Sequence, residues 1–273
     1  MAEPDHQDPK GFQAARRAQD NFRVVAEGED WIAVDKPAGL LTHPTRPDGS
    51  PTLWDGLRAL LAYELANRGR LSIITRLDRE TSGLVLLALS PARARALGLS
   101  MQRGEIGKQY LAIVDGSPDW DKKTIEMPIV RQGEVRDSKI WLKRCVHERG
   151  APARTDFVVE ERFVREGRAM ALIRAHPRTG RTHQIRVHLS HAGFPVVGDK
   201  IYGRREEAYL DFIATGWTPG LEQELILPRH ALHACGLAFA DGREKHELTV
   251  GLPADMEALR RGARPCGSTG FGR

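Results

Sequence analysis

Apolar and polar residues alternate where the patterned part of the chain begins. Phe22, Val24 and Ala26 fall on one face of an extended segment, a glycine-containing turn follows, and a second apolar run begins at Trp31. Alternation with period two on both sides of a turn is typical of a β-hairpin. The preceding residues, 1–20, are polar and have no sustained apolar period, so we expect a flexible N-terminal leader there.

Leucines at helical spacing mark the next segment, 53–67, which we predict to be a helix with Thr52 as its N-cap and Gly69 just past its end. The apolar run at 84–89 is continuous rather than alternating, which predicts a strand buried on both faces. Serine followed by proline at 90–91 is an N-cap with proline at the first helical position, and it predicts the start of another helix.

The rest of the chain is rich in short apolar segments. Strands are predicted at 71–74, 108–114, 155–162, 169–175, 231–239 and 246–250. A helix is predicted from Thr182 to a stop at Gly193, and a last helix over 255–261. The segment 204–228 shows no clear period, and we expect it to be irregular.

These elements together predict an α+β fold. Strands outnumber helices and many neighbours are joined as hairpins, so we expect a mixed, largely antiparallel sheet with flanking helices. One catalytic domain is predicted over 21–261, followed by a disordered, Gly- and Arg-rich tail at 262–273.

Charge changes this picture only slightly. The chain of 273 residues carries 41 lysines and arginines against 36 aspartates and glutamates, a net charge of +5. A mildly basic protein is compatible with a polyanionic partner, because lysine and arginine bound at phosphates release counterions. The same charge could equally serve solubility alone, so composition does not decide the partner.

Targeting and cysteine patterns point to the cytoplasm. The first ten residues lack an apolar signal-peptide core, and no apolar run reaches the length of a membrane span. The three cysteines, 145, 235 and 266, lack CxxC spacing, so neither a disulfide framework nor a zinc knuckle is expected. We expect a cytoplasmic monomer.

A charged, turn-rich stretch at 75–83 lies between two apolar segments. It places Asp78 between two arginines, where a cleft could form. On these residues alone, the carboxylate could also cap a turn through Thr81 or Ser82, or pair with an arginine.

This stretch resembles the signature of the RluA family of pseudouridine synthases, commonly H-R-L-D-x-x-T-S-G-L-L. Further stretches resemble motifs of the same family, in the same order. They are D-K-P-A-G-L-L-T-H-P at 35–44, K-Q-Y-L-A-I-V at 108–114, T-G-R-T-H-Q-I-R-V-H-L at 179–189 and P-V-V-G-D-K-I-Y-G at 195–203. The resemblance runs from Trp31 to Phe239, and no N-terminal S4-type RNA-binding module is recognisable, so a compact member is expected.

One position departs from the family pattern. Thr75 stands where the family usually has histidine. If that histidine is structural, threonine can supply a smaller hydrogen-bonding group; if it handles RNA, substrate choice would differ.

The resemblance implies an isomerase that converts uridine in RNA to pseudouridine, with Asp78 as its essential carboxylate. The N1–C1′ bond breaks and C5 joins C1′ without redox change, so no cofactor and no metal is expected. A carboxylate can attack C1′, stabilise a sugar cation or remove a C2′ proton, and attack at uracil C6 is a further route. Ribosomal and transfer RNA are both compatible substrates.

The resemblance also assigns roles to other residues. Arg186 is expected to pair with the carboxylate, and Tyr110 to stack on the uracil. Arg76 would occupy the space left by the flipped nucleotide or hold the backbone, and Lys108 would give structural or electrostatic support. The arginines that could contact phosphates are Arg174, Arg178 and Arg181. From the residues alone, such a tyrosine is more often a core residue with its hydroxyl satisfied, and each arginine is at least as often a solvated surface charge.

Two alternatives of other classes stay open. One is a metalloenzyme that uses His183, His188 and His191, although their spacing is not HExxH and they do not share one helix face. The other is an inactive homologue that binds RNA, which would not need to retain Asp78, Tyr110 and Arg186 together.

Overall fold

The computed structural model describes residues 22–44, 51–261 and 264–265. These residues divide into two compact units. Unit 1 contains the described residues up to Ile106 together with Leu237–Val250, and unit 2 contains Gly107–Gly236 and the described residues from Gly251 onward. The prediction of one catalytic domain over 21–261 stays a prediction.

Strands and short helices alternate along the described residues. The strands are β1 (Arg23–Gly28), β2 (Trp31–Lys36), β3 (Ser72–Ile73), β4 (Ser82–Ala88), β5 (Gly107–Asp115), β6 (Lys122–Glu126), β7 (Ile129–Arg131), β8 (Arg144–Val146), β9 (Arg154–Arg165), β10 (Arg168–Pro177), β11 (Leu232–Ala240), β12 (Lys245–Thr249) and β13 (Arg264–Pro265). The helices are α1 (Leu53–Leu60), α2 (Ala62–Arg68), α3 (Pro91–Gln102), α4 (Gln184–His191), α5 (Glu207–Thr215), α6 (Pro219–Leu225) and α7 (Ala254–Arg260). The α+β class and the largely antiparallel sheet with flanking helices are confirmed.

Unit 1 is built on β1, β2 and β4, which pair antiparallel in that order, with β3 beside β4. The predicted first hairpin is confirmed, with Gly28 opposite Trp31. Every residue of β4 is buried, as the continuous apolar run predicted. Trp31 packs edge-to-face against Phe239 with their ring centroids 5.0 Å apart, and this contact belongs to the core of unit 1.

The prediction of one continuous helix over 53–67 is wrong, because the helix is interrupted at Leu61. Thr52 caps α1 as predicted, accepting a hydrogen bond from the backbone N–H of Asp55. Leu61 has φ −103° and ψ 23°, outside the helical region, and its side chain is buried. Beyond it, Leu65 is partly buried while its neighbours are exposed, so little packing holds α2 in line with α1.

The cap predicted at Ser90 is confirmed. Its hydroxyl accepts from the backbone N–H of Arg93, and Pro91 occupies the first position of α3. This helix packs against β4, so the serine–proline pair helps position the strand that follows the Asp78 stretch.

Unit 2 is built on β5, β10 and β9, with β10 in the centre and both neighbours antiparallel to it. The turn between β9 and β10 has positive φ at Glu166 and Gly167, which is the backbone that a tight two-residue hairpin requires. The core of this unit includes the fully buried Phe163 and Met170.

The expectation that 204–228 is irregular is wrong, since this segment contains α5 and α6. Thr218 caps α6, accepting from the backbone N–H of Leu221, and Pro219 follows it. Ala208, Leu221 and Leu225 form a small buried cluster. The threonine–proline cap and the leucine spacing of four were visible in the sequence and were missed.

The leader predicted at 1–20 lies outside the described residues. Of the tail predicted at 262–273, the described residues Arg264–Pro265 pair with β9. No helix in the described ranges combines the length and apolar content that crossing a membrane would require.

Candidate active site

Asp78 lies in the loop between β3 and β4, residues 74–81, which we call the carboxylate loop. The side chain of Asp78 is partly exposed, whereas Leu77 before it is buried. Thr42 binds this leucine: its hydroxyl donates to the Leu77 carbonyl oxygen at 2.9 Å. The buried threonine therefore fixes the main chain on the N-terminal side of the carboxylate.

Lys36 fixes the other side of the carboxylate loop. Its ammonium group is fully buried and donates to the carbonyl oxygens of Pro37 and Leu40, both at 2.8 Å, and of Arg79 at 3.3 Å. The backbone N–H of Gly39 also donates to the Arg79 carbonyl at 2.8 Å, and Arg79 Nε donates back to the Gly39 carbonyl at 3.1 Å. A buried ammonium is costly unless its donors are satisfied, and in this loop three carbonyls satisfy them.

The turn that follows Asp78 is made by the backbone. The Thr81 N–H donates to the Asp78 carbonyl oxygen at 3.1 Å. The buried strand β4 begins at Ser82 immediately afterwards, and its second residue, Gly83, has φ 112°. The carboxylate loop is thus held at Leu77, at Arg79 and by its own turn.

Thr75 has a structural position in this loop. Its backbone N–H donates to the Leu86 carbonyl at 3.2 Å, and the Leu86 N–H donates to its hydroxyl at 2.8 Å. The side chain thereby takes the place of a backbone acceptor in the pairing of the loop with β4. At the position where the family usually has histidine, this chain therefore has a threonine that makes a buried hydrogen bond.

In unit 2, β5 carries Lys108 and Tyr110, two residues apart and therefore on the same face of the strand. Both side chains are partly buried, and Tyr110 packs against the core of the unit. A side chain at Gly180 would come within 3.7 Å of the Lys108 ammonium, so this lysine lies beside the loop that precedes α4. Burial lowers the pKa of Lys108.

Arg186 lies on α4 and is buried with Asp199. Its Nε and Nη2 donate to the two carboxylate oxygens at 2.6 and 2.8 Å. The guanidinium also lies over the ring of Tyr202, 4.9 Å from its centroid. Asp199 in turn accepts from the backbone N–H groups of Ile201 and Tyr202, both at 3.0 Å. The interpretation of Arg186 as a surface helix residue is therefore wrong.

A directed hydrogen-bond chain holds the loop before α4. The Thr179 hydroxyl and the Arg181 N–H both donate to Gln184 Oε1, at 2.7 and 3.0 Å. Gln184 Nε2 donates to the Thr155 hydroxyl and to the Arg154 carbonyl, each at 2.9 Å. Both the amide oxygen and the amide nitrogen of this buried glutamine are thus engaged.

His188 continues the chain. The carbonyl of Met127 can only accept, so His188 Nε2 donates to it, at 3.1 Å. Nδ1 of the neutral ring then accepts from the Thr155 hydroxyl, at 3.0 Å. Burial lowers the pKa of His188, although the bond to Met127 opposes that shift.

The helix begins at Gln184, two residues after the predicted start at Thr182. His183, just before it, has φ 59° in the left-handed region. Its Nδ1 lies 2.7 Å from the hydroxyl of Tyr202. This start places Arg186 in the first turn of α4.

The arginines expected to meet RNA differ in their surroundings. Arg76 and Arg181 are exposed, and Arg181 Nε donates to the Pro152 carbonyl at 3.0 Å. Arg178 donates to Asp156 at 2.7 Å, and Arg174 binds Glu160. Two arginines of this group therefore already have carboxylate partners.

Two of the three histidines of the metalloenzyme alternative have other hydrogen-bond partners. Ring nitrogens of His183 and His188 are engaged with the Tyr202 hydroxyl, the Thr155 hydroxyl and the Met127 carbonyl. Within the ranges that the structure describes, no group of three or more His, Cys, Asp or Glu side chains is arranged to hold a metal ion.

Some site residues were missed in the sequence. Lys36 and Thr42 lie in the 35–44 stretch, Gln184 in the 179–189 stretch and Asp199 in the 195–203 stretch, so each belonged to a matched motif without a role. Asp78 belongs to unit 1 and Arg186 to unit 2, and their pairing stays a prediction.

Known proteins resemble this chain in sequence. Residues 30–191, more than half of the chain, match the RNA pseudouridylate synthase family. The chain is 35% identical over 248 residues to ribosomal large subunit pseudouridine synthase D of Nitrosomonas europaea, covering 89% of this chain and 65% of that protein. It is 38% identical over 225 residues to the protein of the same name in Pseudomonas aeruginosa, covering 80% of this chain and 63% of that protein. The chain thus spans slightly less than two thirds of the length of these curated relatives.

A solved structure agrees with these matches. The fold is similar to that of human RNA pseudouridylate synthase domain containing 1, with a TM-score of 0.67 and 27% identity, covering 90% of this chain and 89% of that one. The family predicted from the motifs is therefore confirmed: this chain belongs to the RNA pseudouridylate synthase family.

Proposed function

We propose that this protein isomerises uridine in RNA to pseudouridine, with Asp78 as the essential carboxylate. Family membership supports the reaction class. The curated relatives are named for the ribosomal large subunit, which makes ribosomal RNA the first substrate to test and transfer RNA the second. We propose a cytoplasmic monomer that needs neither cofactor nor metal.

One observation carries the proposal: the main chain is anchored on both sides of a carboxylate that solvent can reach. Thr42 binds Leu77 on one side, and Lys36 binds Arg79 on the other. Catalysis at a sugar carbon needs a carboxylate held in one place, because a small displacement of a catalytic group costs much of the rate. A surface carboxylate that only solubilised the protein would need no such support.

The reaction is balanced without any outside reagent. The N1–C1′ bond breaks, the uracil turns and C5 bonds to C1′. The hydrogen on C5 then leaves as a proton and N1 takes up a proton, so that substrate and product have the same atoms. The transition state places positive charge on the sugar and negative charge on the departing base. Asp78 would stabilise the sugar side by attack at C1′, by its charge, or by removing the C2′ proton.

We assign supporting roles to three residues of unit 2. Arg186 would pair with Asp78 and keep it ionised, because a guanidinium next to a carboxyl group favours its charged form. Tyr110 would stack on the uracil, since an aromatic face tolerates in-plane rotation of the base. Lys108 would attract the RNA backbone together with Arg181, which follows Gly180 in the loop beside Lys108.

The exposed Arg76 is assigned to base flipping. Extracting a uridine from its stack costs a few kcal/mol, and an arginine next to the carboxylate can hold the displaced backbone or fill the gap. This role requires a side chain that solvent and RNA can reach, which Arg76 has.

The test is release of tritium from RNA labelled at uridine C5, with transcripts of large-subunit ribosomal RNA and of transfer RNA as substrates. Wild-type protein should release tritium in the presence of chelator. Asp78→Asn should lower release by at least about a thousandfold, because the essential group loses its charge. Asp30→Asn, the same change at a partly exposed loop position of unit 1, should retain wild-type release.

Other outcomes would decide against the proposal. Wild-type protein that binds these RNAs without releasing tritium would favour the inactive RNA-binding homologue. Equal release by Asp78→Asn and wild type would remove Asp78 from the mechanism. Activity that disappears with chelator and returns with a metal ion would restore the metalloenzyme alternative.

A further inference from the structure

An exposed tryptophan lies in unit 2, in the segment 127–150 that contains β7, β8 and the turn between them. The side chain of Trp141 is 75% exposed, and the neighbouring Leu142 is 49% exposed. By contrast, Trp31 is only 3% exposed. A single exposed apolar residue is common, but two adjacent large ones form an apolar patch of the kind that marks interaction sites.

The tryptophan is held in one orientation. The Arg131 guanidinium carbon lies 3.8 Å from the centroid of the indole ring, a close cation–π contact on one face. Arg131 is itself fixed, since its Nε donates to Glu134 at 3.0 Å. With one face covered by a guanidinium and three quarters of the side chain exposed, the opposite ring face is turned to solvent.

The backbone beneath the tryptophan is also rigid. The Lys143 N–H donates to the Ile140 carbonyl at 3.1 Å and closes a turn with Trp141 at its tip. Gln132 N–H donates to the Lys143 carbonyl at 2.9 Å. Ile140 is 1% exposed and packs in a cluster with Val187, the residue that follows Arg186 on α4. The turn therefore packs, through Ile140, against α4, the helix that carries Arg186.

The charge of the segment indicates which kind of partner it would meet. Residues 127–150 contain six lysines and arginines against three aspartates and glutamates, so the segment carries a net charge of +3 out of +5 for the chain. Arg136 and Lys139, close to the tryptophan in sequence, are exposed. A flat aromatic face with a guanidinium behind it, in a segment rich in cations, suits a nucleotide, whose base stacks and whose phosphates are anionic.

We propose that Trp141, fixed by Arg131, is a stacking site for one unpaired base of the RNA substrate, and that Arg136 and Lys139 meet the phosphates beside it. The site is separate from the residues assigned to uridine conversion. It rests on the proposed function only in taking RNA as the substrate. Single-stranded loops present unstacked bases to aromatic side chains, whereas a continuous duplex does not. The site would therefore select looped RNA over duplex RNA.

Binding is tested by fluorescence anisotropy with the full chain, using a hairpin RNA that has a uridine-containing loop and a blunt duplex of the same length. Trp141→Ala should weaken binding of the hairpin about tenfold, because stacking on an aromatic residue contributes about this much per base. Trp141→Phe keeps an aromatic face and should lose no more than about threefold. Duplex binding should change little in either variant.

The control is Tyr63→Ala, which removes another exposed aromatic side chain, 80% exposed on α2 in unit 1. It should bind the hairpin as wild type does. Intrinsic fluorescence adds a second readout: the hairpin should quench wild-type emission, and Trp141→Phe should lose most of that quenching. Circular dichroism should show that all three variants keep their fold.

Several results would overturn the inference. Unchanged hairpin affinity in Trp141→Ala would do so, and a loss of self-association in that variant would instead identify the indole as a contact between protein chains. An equal loss for hairpin and duplex, or for Tyr63→Ala, would also contradict a base-stacking site. Hairpin binding that depends on Trp141 without any tritium release would leave the inference standing and overturn only the proposed function.

Discussion

Arg186 donates from two nitrogens to both carboxylate oxygens of Asp199, at 2.6 and 2.8 Å, and both side chains are buried. Burial alone would raise the pKa of Asp199, but the charge and hydrogen bonds of Arg186 hold that pKa well below its usual range. The depressed pKa means that the pair stabilises the protein above the unfolded-state pKa of aspartate and loses this contribution as the pH falls through the folded-state value. The pair is therefore ionised throughout the neutral range.

Asp199→Asn should destabilise the protein by about 3 kcal/mol, because it leaves a buried guanidinium without its counter-charge. Urea unfolding at neutral pH measures this. Asp119→Asn, at an exposed position of the same unit, should change the free energy of unfolding by less than about 0.5 kcal/mol.

The double variant Arg186→Met with Asp199→Leu separates stability from catalysis. Replacing a buried ion pair by apolar side chains is often neutral for stability. Leucine, however, leaves the backbone N–H groups of Ile201 and Tyr202 without their acceptor, so the double variant should recover only part of the loss. Tritium release by the double variant should fall to background, because the guanidinium is gone. Release at the wild-type rate by the folded double variant would contradict the role assigned to Arg186.

Lys36→Met should destabilise the protein by about 2 kcal/mol, since the carbonyls of Pro37 and Leu40 lose this donor and the Arg79 carbonyl keeps only the Gly39 N–H. We expect kcat for tritium release to fall more than tenfold while KM for RNA changes little, because Lys36 supports the main chain beside the carboxylate. Steady-state kinetics on the folded fraction measure both. Lys245→Met, at an exposed position on β12, is the matched control and should behave as wild type.

Thr75→Val keeps the shape of the side chain and removes the acceptor of the Leu86 N–H, so it should cost about 1–2 kcal/mol. Thr75→Ser keeps the hydroxyl and should cost less. Hydrogen exchange gives a local readout: the Leu86 amide should exchange faster in the valine variant. Protection of that amide equal to wild type would show that the hydroxyl is dispensable.

The free energy of unfolding should decrease as the pH drops below about 6.5, the unfolded-state pKa of histidine. Part of this decrease should come from His188. Burial lowers the pKa of His188 in the folded state. The unfolded chain therefore binds more protons over that range, and stability is present above the unfolded-state pKa and lost on acidification. Urea unfolding of wild type and His188→Gln at pH 8 and pH 5.5 should show a smaller acid loss in the variant. An equal loss in both would assign the effect to other groups.

Elements that depend on neighbouring residues were predictable. The first hairpin follows from alternation around a glycine turn, the burial of β4 from its continuous apolar run, and the starts of α1 and α3 from Thr52 and from Ser90 with Pro91. The break at Leu61 was not predictable from spacing, because it depends on how little of α2 is buried. The helix at 219–225 had a usable cap signal, Thr218 followed by Pro219, that was overlooked, whereas the helix at 207–215 has no side-chain cap.

The sequence alone determined the family, the order of most strands and helices, and the identity of the candidate carboxylate, because motifs and periodicity are properties of adjacent residues. Only the tertiary structure decided what surrounds those residues: the carbonyls around Lys36, the hydroxyl of Thr75 in the pairing with Leu86, and Asp199 as the partner of Arg186. Such contacts join positions distant in sequence or depend on burial, and their energies arise when water is removed from both groups at once.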